Sequence, residues 1–431
     1  MIDINFVREH ADLVKMNTKN KGYDVDIDAL LQADATRKDL QKQVEELRAE
    51  RNTHASGLKT ERPSDELIAK GKSIKEELSS LETKLKEIDE QFTNLLKQIP
   101  NMSTDDVPVG ASEAENVVTK EVGEKPQFDF QPKSHWELAE SRGWIDKERA
   151  AKVAGSRFAY IKGDLVKLQF GIIQFVLDVL TDESKLAEIA KTAGLNVSSR
   201  PFTPILPPYM IRTDLYDAMD RLEPREDRYK IEDEELWLQG SAEHVIGSMH
   251  SGEILDKTQT PLRYIGYATS FRREAGNYGK DTEGIFRMHQ FDKLELESIT
   301  TAEDGLDEHL FLVAIQEYLL NQLGLPYRVV QKCTADIGKP NARGIDMETW
   351  LPSQNAYRET HTADYMTDYQ ARRLNTRIRE ATGTELAYTN DATAFALGRI
   401  MIAIIENYQT AESNVTVPTA LQPYLNGRNS L

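Results

Sequence analysis

Two long stretches of this chain place apolar residues at alternating spacings of three and four. Leu30, Ala33, Leu40, Val44, Leu47 and Leu58 form the first series, with Arg37, Arg51 and His54 interrupting the same seam. Leu67, Gly71, Ile74, Leu78, Leu81, Leu85, Ile88, Phe92, Leu95 and Ile99 form the second. Such spacing keeps one stripe of a helix apolar over many turns, so it predicts two long helices with one seam each. Between them stand Gly57 and Pro63, which break helices, and Ser64 and Asp65, which cap them. The pair is expected to fold back as an antiparallel coiled coil with its tip near residues 57 to 65, projecting from a body. Residues 1 to 26 predict a short helix and a loop ending near Gly22.

The pattern changes after Pro100. Residues 101 to 133 are polar, with Gly, Pro and Asp scattered through them, and predict an extended linker or an edge strand. Further on, a helix is expected over 165–180, followed by the Pro-rich strand end FTPILPPY (202–209). Strand-like runs recur at 228–238, 264–271, 286–297, 327–334, 346–351 and 356–362, with helices at 241–249, 303–323, 364–380 and 396–409. Neighbouring strands joined by short turns argue for an antiparallel sheet flanked by helices, an α+β body. The expected division is 1–100 for the helical arm, 101–134 for the linker and 135–431 for the body.

One hairpin in that body stands out: 271–297, FRREAGNYGKDTEGIFRMHQFDKLELE. Gly276, Asn277, Gly279 and Gly284 supply turn chemistry between two runs that carry Arg272, Glu274, Arg287, Lys293 and Glu295 at strand positions. Charges inside strands need partners if buried. The residues alone leave two readings open, an exposed hairpin laced with ion pairs or a charged site.

Composition narrows the classes. With 431 residues the chain exceeds the usual single-core limit, and 39% hydrophobic with 29% charged residues is ordinary for a soluble protein. No apolar run approaches the ~20 residues of a membrane span, and residues 1–15 lack the pattern of a signal peptide, so a cytosolic protein is expected. The single Cys333 excludes an internal disulfide and a cysteine-rich zinc site, and the 8 histidines show no HxxxH pair, so no structural zinc is expected. The net charge, 53 − 71 = −18, argues against a protein that coats nucleic acid. Against that background residues 37–75 hold ten Lys or Arg and seven Asp or Glu, a local excess of +3. Basic residues spaced along a rigid helix can follow a phosphate backbone, and a solvated coiled-coil face or a dimerisation pair is the alternative.

No GxGxxG and no GxxxxGK[ST] is present, so neither Rossmann nor P-loop phosphate binding is supported. Three segments taken together are more specific: FRREAG…GKDTEGIFRMHQFDKLELE, YRETHTADYMTDYQARR and TNDATAFALGRIMIAIIENYQT. They resemble seryl-tRNA synthetase, a class II aminoacyl-tRNA synthetase of bacterial type. The likeness extends to MIDINFVREHADLVK, QIPNMSTDDVPVG and the closing LQPYL, and so covers the whole chain.

The resemblance implies a homodimer, an arm that grips tRNA(Ser) and a catalytic domain using ATP, Mg2+ and L-serine, with tRNA(Sec) as a further candidate substrate. It makes the 165–180 helix with FTPILPPY motif 1, the 271–297 hairpin motif 2 and 389–409 motif 3. It further implies catalytic roles for Arg272, Glu359 and Arg399. Arg272 is the expected clamp on the α-phosphate and the serine carboxylate, with Arg273 beside it and Arg287 as a second phosphate contact. Glu274 would meet adenine, Phe291 would stack on it, and Arg399 would cover its other face and the γ-phosphate. Glu359, with Thr360, His361 and Thr362, matches the ATP and magnesium position. Ser241, Ala242, Glu243, Arg272, Glu295, Asp391 and Thr393 are the implied serine contacts, and Arg48, Arg51, Lys59, Arg62, Lys70 and Lys72 the tRNA contacts.

This sequence departs from the family pattern in places. The TAE triplet reads Ser241-Ala242-Glu243, and Thr362 stands where serine is common, both keeping a hydroxyl. In motif 3, Asp391 stands where an asparagine usually frames the serine pocket, and Glu283 replaces a common basic residue at the motif 2 tip. Two other functions are weighed. A synthetase-like RNA or partner-binding module would be expected to have lost Arg272, Glu274 or Arg399, and all three are present. An enzyme loading a carrier protein would lack the arm, which this chain has.

Overall fold

The computed structural model describes residues 1–57, 64–274 and 284–431. It divides into two compact units, Met1–Met102 and Ser103–Leu431.

In the first unit α1 (Ile4–Glu9) and α2 (Ala11–Asn20) replace the single short helix expected before Gly22. Two long helices follow, α3 (Ile27–Gly57) and α4 (Asp65–Gln98), with the Ser64 side chain accepting from the Leu67 N–H at the start of α4. Leu30, Ala33 and Val44 of α3 and Ile74, Leu78 and Phe92 of α4 are buried, as the seam predicts. Near the end of α4, Leu96 is buried and Leu95 only half so, a drift expected of a 3.6-residue helix that does not supercoil strictly. Toward residues 57 to 65 the seam thins: Arg51 is exposed, and His54 takes the space beside Gly71, with its Nε2 2.9 Å from the Leu67 carbonyl. A Cβ on Gly71 would lie 3.2 Å from that nitrogen. Lys59 and Arg62 lie outside the described residues.

The second unit is α+β. Among the described residues its main sheet has eight strands: β1 (Val117–Val122), β2 (Thr203–Ile205), β3 (Leu262–Phe271), β4 (Gln290–Thr300), β5 (Tyr327–Gln331), β6 (Arg343–Leu351), β7 (Ala356–Thr367) and β8 (Tyr388–Ala396). Their order is β1-β5-β6-β7-β8-β4-β3-β2, antiparallel throughout except for β2 beside β3. Of the two forms open to the polar stretch after Pro100, the edge strand is the one realised, as β1.

Several sequence expectations shift. The run at 228–238 is a strand only over Leu236–Leu238, because residues 228–235 form a bend and a turn with only an isolated bridge from Lys230 to Trp237. The helix expected at 364–380 is instead the end of β7, a short helix Tyr369–Leu374 and a strand Arg377–Arg379. A central strand buried on both faces loses its alternation, so its period misleads. The hairpin's return strand begins at Gln290, not Phe286, which leaves Arg272, Glu274 and Arg287 beyond the strand ends rather than inside them. Helices at His135–Arg142, Lys147–Ala154 and Glu183–Thr192 escape the pattern because they are short; the first announces itself only by its Ser134–Glu137 capping box.

The sheet's two faces differ in chemistry. Residues directly opposite on neighbouring strands share a face. Ala363, Ala392 and Leu296 form one such row and pack under the helices Gly305–Gln322 and Leu397–Asn407 in the main apolar core. One residue along, Asp364, Asp391 and Glu297 form the neighbouring row, on the other face.

Candidate active site

The polar face of the sheet lies under a cleft lined by charged, hydroxyl and aromatic side chains. Its lining includes Arg272, Glu274, Arg287, Phe291, Glu359 and Arg399, which the family resemblance assigned to one site from three separate segments. Thr360, Thr362, Thr393 and Lys293 contribute the rest of its polar lining.

Arg272 follows the last residue of β3, where its backbone N–H donates to the His289 carbonyl at 3.0 Å and its Nε to the Gly240 carbonyl at 2.9 Å. Its guanidinium lies 5.4 Å from the centre of the Phe291 ring. Burial, and then the charge of Arg228, lower its pKa from the usual arginine value. Glu274 adopts a left-handed backbone, φ 50°, and its carboxylate accepts from Arg287 at 2.8 Å. Arg157 holds its carbonyl at 2.8 Å, so both ends of this residue are oriented.

Arg399 sits in the first turn of the Leu397–Asn407 helix and donates through Nη1 to the Glu359 carboxylate at 2.8 Å and carbonyl at 3.0 Å. Partial burial opposes the Glu359 charge, but Arg399 and then Lys332 more than offset it, holding its pKa below the ordinary carboxylate range. Phe286, which sequence reasoning left unassigned, has two guanidinium groups against its ring, Arg358 at 4.7 Å and Arg399 at 4.9 Å from the ring centre. Its only sequence signal was its place in the motif 2 return.

The acidic contacts expected for an amino acid are also oriented. The Ser241 hydroxyl donates to Glu295 Oε2 at 2.7 Å, and Lys293 pairs with the same oxygen. Burial, and then Arg272, bring the Lys293 amine down to about 7. Glu243 Oε1 accepts from Arg221 at 2.8 Å and from Gln370 at 3.1 Å. Ala242 is buried against the apolar cluster around Tyr216 and Trp237. Asp391 opposes Glu297 on β4 and Asp364 on β7, and Thr393 opposes Glu295. Burial, reinforced by Glu243 and Asp364, raises the Asp391 pKa well above the usual value. Arg221 was not found from sequence, because nothing around a lone arginine in DRLEP marks it.

Of the residues assigned to serine, Ser241, Ala242, Glu243, Glu295 and Asp391 do not line this cleft, and of those assigned to ATP, Arg273 and His361 do not. Arg273 is exposed, donates to the Arg228 carbonyl at 3.1 Å and lies over Tyr229. His361 is buried against Phe395, its Nδ1 2.8 Å from the Thr360 hydroxyl, and burial pushes its pKa to about 3. Glu283 lies outside the described residues. Among the described residues no group of three His, Cys, Asp or Glu is placed to hold a metal ion, and no helix is long and apolar enough to cross a membrane. On the arm, Arg48, Lys70 and Lys72 are exposed and pair with Glu82, Glu50 and Glu76 at 2.8, 3.0 and 3.9 Å.

An antiparallel sheet with a polar face, a hairpin arginine at one side and a helix-borne arginine at the other is the plan of a class II aminoacyl-tRNA synthetase. Residues 228–408 match the family described as the tRNA synthetase class II core domain for G, H, P, S and T, and residues 1–103 match the seryl-tRNA synthetase N-terminal domain. A serine-tRNA ligase of Deinococcus radiodurans is 39% identical over 437 residues, covering 100% of this chain and 99% of its own. One of Thermodesulfovibrio yellowstonii is 38% identical over 99% of both chains. The crystal structure of seryl-tRNA synthetase from Pyrococcus horikoshii complexed with ATP superposes with a TM-score of 0.88 at 35% identity, over 100% of this chain and 99% of that one. The chain belongs to the seryl-tRNA synthetase family.

Proposed function

We propose that this protein activates L-serine with ATP and transfers it to the 3′ end of tRNA(Ser). The observation that supports this most is the convergence of Arg272, Arg399 and Glu359 on one cleft whose lining continues to Thr393, directly opposite Glu295. In the first step a serine carboxylate oxygen attacks the α-phosphorus, the bond to the bridging oxygen breaks and pyrophosphate leaves. Negative charge spreads over the phosphate oxygens, and fixed cations aimed at it lower the barrier. Arg272, tethered through Nε, keeps its Nη groups for the α-phosphate and the carboxylate, a task its planar fork suits. Phe291 and the Arg399 face bracket the adenine, and Arg287 and Arg399 meet the outer phosphates. Glu295 and Glu243, whose Oε1 is held by Arg221 and Gln370, receive the serine ammonium. In the second step the terminal ribose 3′ oxygen attacks the activated carbonyl carbon, AMP leaves and the hydroxyl proton is lost.

Mg2+ fits the cleft as a companion of ATP. It needs few protein oxygens when phosphates supply the others, and Glu359 is a half-exposed carboxylate with one oxygen on Arg399. Bound there it would neutralise phosphate charge. A cytosolic homodimer is the proposed assembly, supported by apolar residues left open on the motif 1 elements, Phe170 at 60% and Leu206 at 79% exposure. The arm's exposed Arg48, Arg51, Lys70 and Lys72 are proposed to meet the tRNA backbone. Exchange of pyrophosphate into ATP, measured with each of the twenty amino acids, tests the reading. Exchange with serine alone is expected; silence with serine, or exchange with another amino acid only, would refute it.

A further inference from the structure

We infer that Arg221 and Asp391 form a pair that reads the hydroxyl of the substrate side chain, an inference that rests on the serine reading of this pocket. Arg221 lies just past the short helix Thr213–Ala218 and is fastened by two hydrogen bonds, Nε to Glu243 Oε1 at 2.8 Å and Nη2 to Asn341 Oδ1 at 3.2 Å. Its Nη2 then stops 3.8 Å from Asp391 Oδ1. That separation is too long for a direct hydrogen bond. One oxygen can span it, at about 2.8 Å from each side.

Asp391 Oδ1 is buried without a hydrogen-bond partner, and the side chain is 4% exposed. An unanswered buried acceptor is costly, so an atom that donates to it binds with corresponding preference. Thr393, two residues along the same strand and therefore on the same face, lines the cleft, which places Asp391 one step beyond that lining. A hydroxyl entering there donates to Asp391 and accepts from Arg221. A methyl group does neither.

The charges support a dedicated pair. Asp364, Asp391 and Glu297 stand side by side on three strands, where like charges would repel, and burial raises the pKa of all three carboxyls. Burial works against the charge on Arg221, but Glu243, then Asp391 and Asp364, more than offset it and hold its pKa above the ordinary value. An aspartate in place of the family's usual asparagine is thereby answered by a cation from another part of the fold. Arg221 is accordingly a specificity-determining residue.

The test uses the full-length enzyme in ATP–pyrophosphate exchange with serine and with alanine, each variant checked by a thermal melt. Arg221→Gln is expected to lower kcat/KM for serine by about tenfold or more, mainly through KM, while KM for ATP changes less than about twofold. Asp391→Ala is expected to reduce the preference for serine over alanine by about tenfold or more, since a pocket built to bond a hydroxyl discriminates through that bond. The double variant R221Q/D391N, which keeps a donor and an acceptor but removes the guanidinium and the ionisable carboxyl, is expected to recover most of the loss of R221Q. The assignment is overturned if Asp391→Ala keeps the serine-to-alanine preference within about twofold, or if the double variant is no better than R221Q. Should R221Q give no cooperative melt, Asp391→Ala decides alone. No serine-dependent exchange in the unmutated enzyme would overturn the functional reading first, and this pair with it.

Discussion

Arg48 meets Glu82 on the arm at 2.8 Å, and Arg263 meets Glu308 in the body at 2.6 Å; as contacts they look alike. Their surroundings differ completely. The arm pair is 53% and 42% exposed, so water and salt compete for both partners and the pair holds the helices only weakly. The body pair is 0% and 2% exposed, with Arg263 also donating to the carbonyls of Ser198 and Arg200 and Glu308 also accepting from the Ser298 hydroxyl. Neither partner there can leave without stranding a buried charge. An exposed charge such as Arg48 is thus free to change partners for a nucleic-acid phosphate, whereas a buried one such as Arg263 is committed to the fold.

Removing the arm should separate the two regions most clearly. Deleting residues 40 to 92 and rejoining the helices is expected to abolish tRNA charging while leaving serine-dependent pyrophosphate exchange within about twofold, measured side by side. Charging that survives would show that the arm's basic surface has no part in tRNA binding. Next in size, Arg272→Ala is expected to reduce exchange by about 10²- to 10³-fold, because it removes a preorganised cation from the α-phosphate. Its melting temperature should stay within about 4 °C of the unmutated protein, and a collapse of the melt alongside the activity would make Arg272 structural.

Stability measurements sharpen the contrast directly. Glu308→Gln is expected to destabilise the body by about 3–5 kcal/mol in urea unfolding, since it leaves Arg263 buried and unpaired. A smaller, pH-dependent effect belongs to His309, whose Nε2 accepts from Arg343 at 2.8 Å and whose pKa burial, then Arg343, bring down to about 3. An unfolded histidine titrates near ~6.5, so between there and about 3 the unfolded chain binds a proton that the folded one refuses. Stability is therefore lost as pH falls from about 6.5, and His309→Asn should flatten that part of the stability curve by up to one proton's worth. Smallest of all, Glu82→Gln should change stability by less than about 1 kcal/mol, and a loss comparable to that of Glu308→Gln would erase the distinction between the regions.

The two regions also differed in how far they could be read in advance. The arm's seam was legible because a helix pair held by one stripe repeats locally, and Leu30, Val44, Ile74, Leu78 and Phe92 are buried as that repeat requires. The catalytic segments were legible as motifs, and Arg272, Glu274, Arg287, Phe291, Glu359 and Arg399 do share one cleft. Their backbone setting was misread: Arg272, Glu274 and Arg287 flank the strands instead of lying in them, and Asp364 is on a strand, not a helix. Side chains buried on both faces of a central sheet mask the alternation that would have marked them.

The sequence by itself determined the long helical hairpin and the antiparallel character of the body, because both rest on periodicity and on turns close together in the chain, whereas the grouping of the charged residues into one site came from the resemblance of three separate segments to one family. The tertiary structure alone decided which charges meet. Arg221 is 22 residues from Glu243 and 170 from Asp391 in the chain, yet bonds the first and comes within 3.8 Å of the second, and Phe286 meets both Arg358 and Arg399. Partnerships of that kind depend on strand order and register, which set distances between residues far apart in the chain and are fixed only when the whole sheet has formed.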